Sequence, residues 1–142
     1  MPNPADKTVR VIRKAALAYF KDKKILMARD DHNEEAFYTP GGKIEDGETD
    51  VECVIREVKE ELDADLEKDS IEFLSEFEAV AHGKPHLRVS IRLFTGKLSG
   101  EPKPHGEIAE LSYFDTSVDN KHLTPILIEE IFPWLKKHGY IN

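Results

Sequence analysis

Residues 49–62, TDVECVIREVKEEL, read as a helix more clearly than any other part of the chain. Thr49 and Glu52 have the Ser/Thr-x-x-Glu spacing of a capping box, which makes Thr49 the N-cap. At about 100° per residue Val51, Val54, Ile55, Val58 and Leu62 share one arc, so the helix must lay an apolar stripe on a core. A neighbouring arc carries Glu57, Glu60 and Glu61 at i, i+3 and i+4 spacing. Like charges so placed repel, at a cost on the order of a few tenths of a kcal/mol per pair. They also occupy the half of the helix whose dipole disfavours anions. A divalent cation reverses both penalties, because carboxylate oxygens from adjacent turns are the hard ligands that magnesium takes. Three glutamates alone fit a solvated acidic face equally well. Their neighbours shift the balance: Gly41-Gly42 lets the backbone approach a ligand closely and offer a carbonyl, and Arg56 can brace a carboxylate in bidentate geometry.

The rest of the chain predicts what this helix packs against. Residues 9–20 and 24–29 are apolar runs separated by Lys21-Asp22-Lys23, which reads as a hairpin. Phe37-Tyr38-Thr39 follows a charged loop, and Pro40-Gly41-Gly42 is expected to break regular structure. Residues 71–80 and 87–98 are strand-like, joined by the turn-rich 82–85. In the second run Arg88, Ser90 and Arg92 alternate with Val89, Ile91 and Leu93, giving one wet and one buried face. Residues 100–106 read as loop and 108–114 as a short strand. Thr124-Pro125 opens a C-terminal helix, which Pro133 either kinks or restarts. The pattern suggests a mixed α/β sandwich in one domain, 1–142, with 1–7 a loose leader.

At 142 residues the chain is long enough to bury a self-sufficient core. No apolar run approaches the length of a membrane span, and the N-terminus lacks the apolar stretch of a signal peptide. Cys53 is the only cysteine, so no intrachain disulfide is possible, which suits a reducing cytoplasm. It is expected to be a small packing residue. The net charge of −8 argues against broad capture of nucleic-acid polymer or anionic lipid. An anionic substrate would need a metal or a few well-placed cations.

Segment 41–64, GGKIEDGETDVECVIREVKEELDA, resembles the Nudix box: Gly42, Glu48, Arg56, Glu57, Val58, Glu60 and Glu61 match at the required spacing. Two positions depart, Asp63 standing where the box has glycine and Ala64 where it has a large apolar residue. Both lie at the helix end, so the departure is expected to alter helix termination and not the chemistry. Outside the box, Phe37 stands where an aromatic commonly precedes Pro-Gly-Gly, and residues 107–114 look like the family's Glu-rich loop and aromatic-ended strand.

The resemblance implies an α/β fold, a Nudix-type α/β/α sandwich with a mixed β-sheet, one catalytic helix and a C-terminal helix. It implies Glu57, Glu60 and Glu61 as metal ligands, with the Gly41 carbonyl, and Mg2+ (or Mn2+) as the ion. Arg56 would orient a carboxylate, and Gly42 and Glu48 would support the box. Glu107, with Glu110 behind it, is the candidate loop glutamate. Glu60 or Glu57 ranks ahead of Glu107 as the base that takes a proton from water. Phe37 and Tyr38 are candidates to stack on a base, and Arg29 and Lys43 to reach phosphates. For each of these four, ordinary packing or surface placement is the alternative.

The implied activity is hydrolysis of a phosphoanhydride in a nucleoside diphosphate derivative, with a MutT-like nucleoside triphosphate pyrophosphohydrolase in front. ADP-sugar and dinucleoside polyphosphate pyrophosphatases are the alternatives. They are lowered because residues 65–84 hold no proline and no tyrosine lies between Thr39 and Ser112. A nucleotide-binding module without turnover is the alternative of another class; the intact set of box carboxylates speaks against it. The implied partner is a small nucleotide, acting on a monomer or homodimer in the cytoplasm.

Overall fold

The computed structural model describes residues 10–32, 36–81 and 84–142. The 1–7 leader, the first residue of the predicted N-terminal strand and the 82–83 turn lie outside the described residues. In chain order the strands are β1 (Arg10–Leu17), β2 (Phe20–Lys21), β3 (Lys24–Asp30), β4 (Gly41–Lys43), β5 (Asp65–Leu66), β6 (Glu72–Ala81), β7 (Lys84–Thr95), β8 (Leu98–Ser99) and β9 (Ile108–Phe114). The α-helices are α1 (Asp50–Leu62) and α2 (Phe132–Lys137). A four-stranded sheet has the order β4-β1-β7-β6, and it is mixed because β1 and β7 run parallel. A second sheet orders β2-β3-β9, and β5 pairs with β8.

Alternation along the strands creates the layers. Ala15 and Leu17 of β1 and Leu26 of β3 face α1, packing with Val54, Val58 and Leu62. Ala16, Ala18, Ile25 and Met27 point the other way, onto Leu127, Ile131, Phe132 and Leu135 of the C-terminal helix. Strands buried on both faces read as continuous apolar runs, as these do. No helix among the described residues is long and apolar enough to cross a membrane.

Several expectations need correction. Residues 41–43 do not break structure; they form β4, with Ala16 opposite Gly41 and Ala15 opposite Gly42. A Cβ on Gly41 would lie 2.3 Å from the Ala15 carbonyl oxygen, so these glycines permit the approach of two backbones. The N-terminal hairpin exists only at its tip, where Phe20 pairs with Ile25 around Asp22 and Lys23, both at positive φ. The longer strands β1 and β3 then part into different sheets.

The Arg88/Ser90/Arg92 face of β7 is wet only at its arginines, whose side chains stay over a third exposed. Ser90 is buried and donates to Glu76, Arg88 pairs with Glu78, and Arg92 pairs with Glu76 and Asp50 while covering the Phe73 ring. Lys84 and Pro85 belong to β7 rather than to a turn. At the C-terminus, Leu127–Ile131 widen into a π-helix, with the Phe132 N–H reaching back to the Leu127 carbonyl. Pro133 then sits in the first turn of α2, where its missing N–H and its ring bulk are tolerated.

Candidate active site

α1 begins as its sequence predicts. The Thr49 side chain accepts from the Glu52 N–H at 3.1 Å, and Glu52 returns the bond to the Thr49 N–H at 2.9 Å. The far end is closed by the loop that precedes β9. Lys103 N–H donates to the Leu62 carbonyl and His105 N–H to the Glu61 carbonyl, at 2.9 and 3.0 Å. The His105 ring Nδ1 meets the Glu60 carbonyl at 2.9 Å, so that nitrogen carries the proton. Asp63 holds the left-handed C-cap, φ 50° and ψ 41°, in glycine's place, which a short polar side chain tolerates. Ala64 is buried beside Leu62 and Leu66. As expected, the two departures act at the helix end.

Arg56 organises the acidic face. Its Nε and Nη2 grip Glu48 at 2.7 and 3.0 Å, and Nη1 donates to Glu57 at 2.9 Å. Glu60 lies farther off at 3.4 Å, and Nη2 also reaches the Lys43 carbonyl. The guanidinium bonds hold the Glu48 carboxyl down at about 2. Glu57 is pushed up by burial, against the pull of Arg56. Glu61 reaches beneath β4 to accept the Gly41 N–H at 2.7 Å. Burial, then the Glu57 and Glu60 charges, lift it to about 8. Gly42 makes room for this packing, since a Cβ there would stand 2.4 Å from the Glu57 carboxylate. Cys53 is fully buried, its thiol against the Gly42 and Lys43 carbonyls and pushed up to about 11 by burial.

Among the described residues no three acidic, histidine or cysteine side chains converge into a ready ion cage. Repulsion explains the spread, because Glu57 turns to Arg56 and Glu61 to the Gly41 N–H. The donors nonetheless fit a hard divalent ion. They are all oxygens, they are borne on adjacent turns, and Glu61 is a half-buried carboxylate whose one hydrogen bond among the described residues is to a neutral amide.

Three adjoining cavities that share Tyr38 form one cleft. The first, about 210 Å³, is lined by Glu57, Glu60, Glu61, Gly106 and Glu107. The second, about 400 Å³, takes in Glu61, Gly41, Gly42, Lys14 and Asp30. The third, about 180 Å³, is mostly apolar, with Val89, Ile91, Ala79, Pro125 and Ile126. A separate cavity of about 270 Å³, between Val118, Leu123, Ile128 and Phe132, shares no residue with the cleft.

The structure therefore brings Glu57, Glu60, Glu61, Gly41, Gly42, Tyr38 and Glu107 to one place. Glu110 is drawn off to Arg29 at 3.1 Å. Arg29 also bonds the Asp30 carbonyl and lines none of these cavities. Phe37 is corrected: it is buried in the core, edge-on to Phe114 at 4.9 Å, and lines none of these cavities, so it packs and does not face the cleft. Lys43 is exposed on β4 outside the cavity walls. Lys14 and Thr124 were missed; each sits in an ordinary strand or loop context, and only pairing across the sheet turns it inward.

The profile of the NUDIX domain matches residues 11–135. No curated protein matches the chain. Among solved structures, a MutT NUDIX hydrolase from Burkholderia pseudomallei is 25% identical, with TM-score 0.66 over 82% of this chain and 92% of that one. A MutT protein from Methanosarcina mazei Go1 is 18% identical, with TM-score 0.72 over 92% and 96%. An ADP-ribose pyrophosphatase from Streptococcus suis is 19% identical, with TM-score 0.61 over 89% and 90%.

Proposed function

The chain belongs to the NUDIX family, and on that premise we propose that it is a magnesium-dependent hydrolase of nucleoside triphosphates. It is a hydrolase of acid anhydrides; the ion, the triphosphate and the cytoplasmic setting are the proposal. The whole chain, 1–142, acts as one domain, alone or as a homodimer. The observation that carries the reading is the polarity of the cleft. Four glutamates line one end and an apolar wall the other, as a substrate with a phosphoanhydride and an organic ring requires.

Glu57, Glu60 and Glu61 would hold the ion, with the Gly41 carbonyl beside them. Magnesium when bound neutralises the diphosphate and lowers the pKa of water. Arg56 fixes Glu57 by a direct bond and Glu48 by two, so the helix presents its carboxylates in one arrangement. Glu60 or Glu57, ahead of Glu107, takes the proton of the attacking water. Tyr38 stands where all three cavities meet, and stacks on or abuts the organic group.

The test is release of phosphate and pyrophosphate from nucleoside triphosphates, oxidised nucleotides, nucleotide sugars and dinucleoside polyphosphates, with and without magnesium. Magnesium-dependent turnover of triphosphates, lost in Glu60→Gln and Glu61→Gln, is expected. Turnover confined to ADP-sugars or dinucleoside polyphosphates would replace the substrate class. Binding of magnesium and nucleotide with no turnover would make the chain a binding module.

A further inference from the structure

This chain carries 28 acidic residues against 20 lysines and arginines, and its half-buried arginines are matched to carboxylates: Arg29 to Glu110, Arg56 to Glu48 and Glu57, Arg92 to Glu76. Lys14 is the contrast. It is half-buried in β1 and lines both the second and the third cavity of the cleft. Its ammonium forms no hydrogen bond or ion pair within 4 Å with another described residue. Its field reaches Glu61, which it favours in the charged form.

The strand register adds an independent observation. Lys14 stands directly opposite Lys43 of β4, and opposite residues of paired strands project from the same face. Like charges so placed destabilise a sheet. A like-charged pair across the register, whose half-buried member stands unpaired on the wall of a cleft, describes a site completed by an anion that is not part of the chain.

We propose that Lys14 is the positioning residue for the phosphoryl group that lies between the glutamates and the apolar end of the cleft. The inference rests on the nucleotide reading above and deepens it. Along the cleft the order is Glu57, Glu60 and Glu107; then Glu61 and Gly41; then Lys14 with Tyr38; then Val89, Ala79 and Ile126. An anhydride gripped at the glutamate end places the phosphoryl group attached to the sugar beside the ammonium. Lys14 then fixes how deep the substrate sits. It selects a substrate that is charged next to its organic group over one that is not.

The experiment is calorimetric titration of the wild type, Lys14→Met and Lys14→Arg with the common nucleoside diphosphates plus magnesium, and with the matching nucleosides. In Lys14→Met the diphosphates should bind about 10- to 100-fold more weakly, the nucleosides unchanged, and Lys14→Arg should recover most of the loss. For whichever triphosphate is hydrolysed, KM should rise about tenfold while kcat stays within about threefold. A structural role would move nucleosides and diphosphates together, or lower the melting temperature of Lys14→Met alone. Diphosphate affinity within about twofold of wild type in Lys14→Met, or a parallel loss for nucleosides, overturns the proposal. If the wild type hydrolyses nothing yet its diphosphate binding depends on Lys14, the catalytic reading fails and the positioning role stands. If the wild type binds no diphosphate with magnesium, both fall.

Discussion

α1 and the C-terminal helix pack on opposite faces of β1 and β3, and they are built differently. α1 is regular over 13 residues, has a reciprocal capping box at one end, and has its last carbonyls bound by the 103–105 backbone at the other. The C-terminal helix has no side-chain cap on either of its segments and holds a π-helical stretch and a proline. The contrast follows from what each helix must deliver. α1 presents carboxylates from successive turns, so its pitch must be uniform and its ends fixed. The C-terminal helix must only fill a space, and Leu127, Ile131 and Leu135 do so although the backbone between them is irregular. Geometry is held tightly along the helix proposed to hold the ion, and loosely where apolar groups only meet each other.

Substitutions on the two sides should separate these demands. Ile131→Ala removes a fully buried side chain and should cost about 3 kcal/mol by denaturant titration, equally with and without magnesium. A loss confined to the magnesium-loaded protein would show that the two faces are coupled. Glu61→Gln should do the reverse. Metal-free stability should hold, because burial already disfavours the charged form of Glu61 and the glutamine oxygen can still accept the Gly41 N–H. The increment of about 2.7 kcal/mol expected at a hundredfold excess of magnesium over its Kd should vanish. A retained increment would place the ion elsewhere.

Thr49→Ala breaks the capping box and should cost about 1 kcal/mol, with some loss of magnesium affinity if cap and carboxylates act as one unit. The smallest effect concerns acid. Glu48 titrates at about 2 in the folded chain against its ordinary 4.5, because Arg56 favours the charged form. Its stabilising contribution is therefore complete above about pH 4.5 and disappears as pH falls toward 2. Glu48→Gln should show a shallower fall in melting temperature across that window; an unchanged slope would mean that Arg56 does not hold Glu48 in solution.

Much of the site was legible in the sequence because α1 is local. Helical spacing alone places Glu57, Glu60 and Glu61 together, and a capping box needs only four residues. The box implied that Arg56 orients a carboxylate; that it grips Glu48 and Glu57 is legible only in the folded chain. Other readings failed where a partner strand decided. Gly41-Gly42 looked like a break because nothing nearby announced β1 beside it. Ser90 looked exposed because its partner, Glu76, lies on β6. Phe37 and Tyr38 looked interchangeable as base-stacking residues. Period-two alternation makes one core and the other cleft, and only the bridges of Ala28 to Tyr38 and Phe37 to Leu123 say which.

By itself, then, the sequence determined the helix, its caps, its acidic stripe and the apolar runs that bury it, since each rests on contacts within about four residues. Tertiary structure alone decided that Glu107 joins the acidic end while Glu110 leaves for Arg29, that Lys14 faces the cleft opposite Lys43, and that an apolar wall closes the far end. Those outcomes depend on register between strands tens of residues apart. A shift of one residue turns every side chain to the other face, and no short stretch of the chain carries that information.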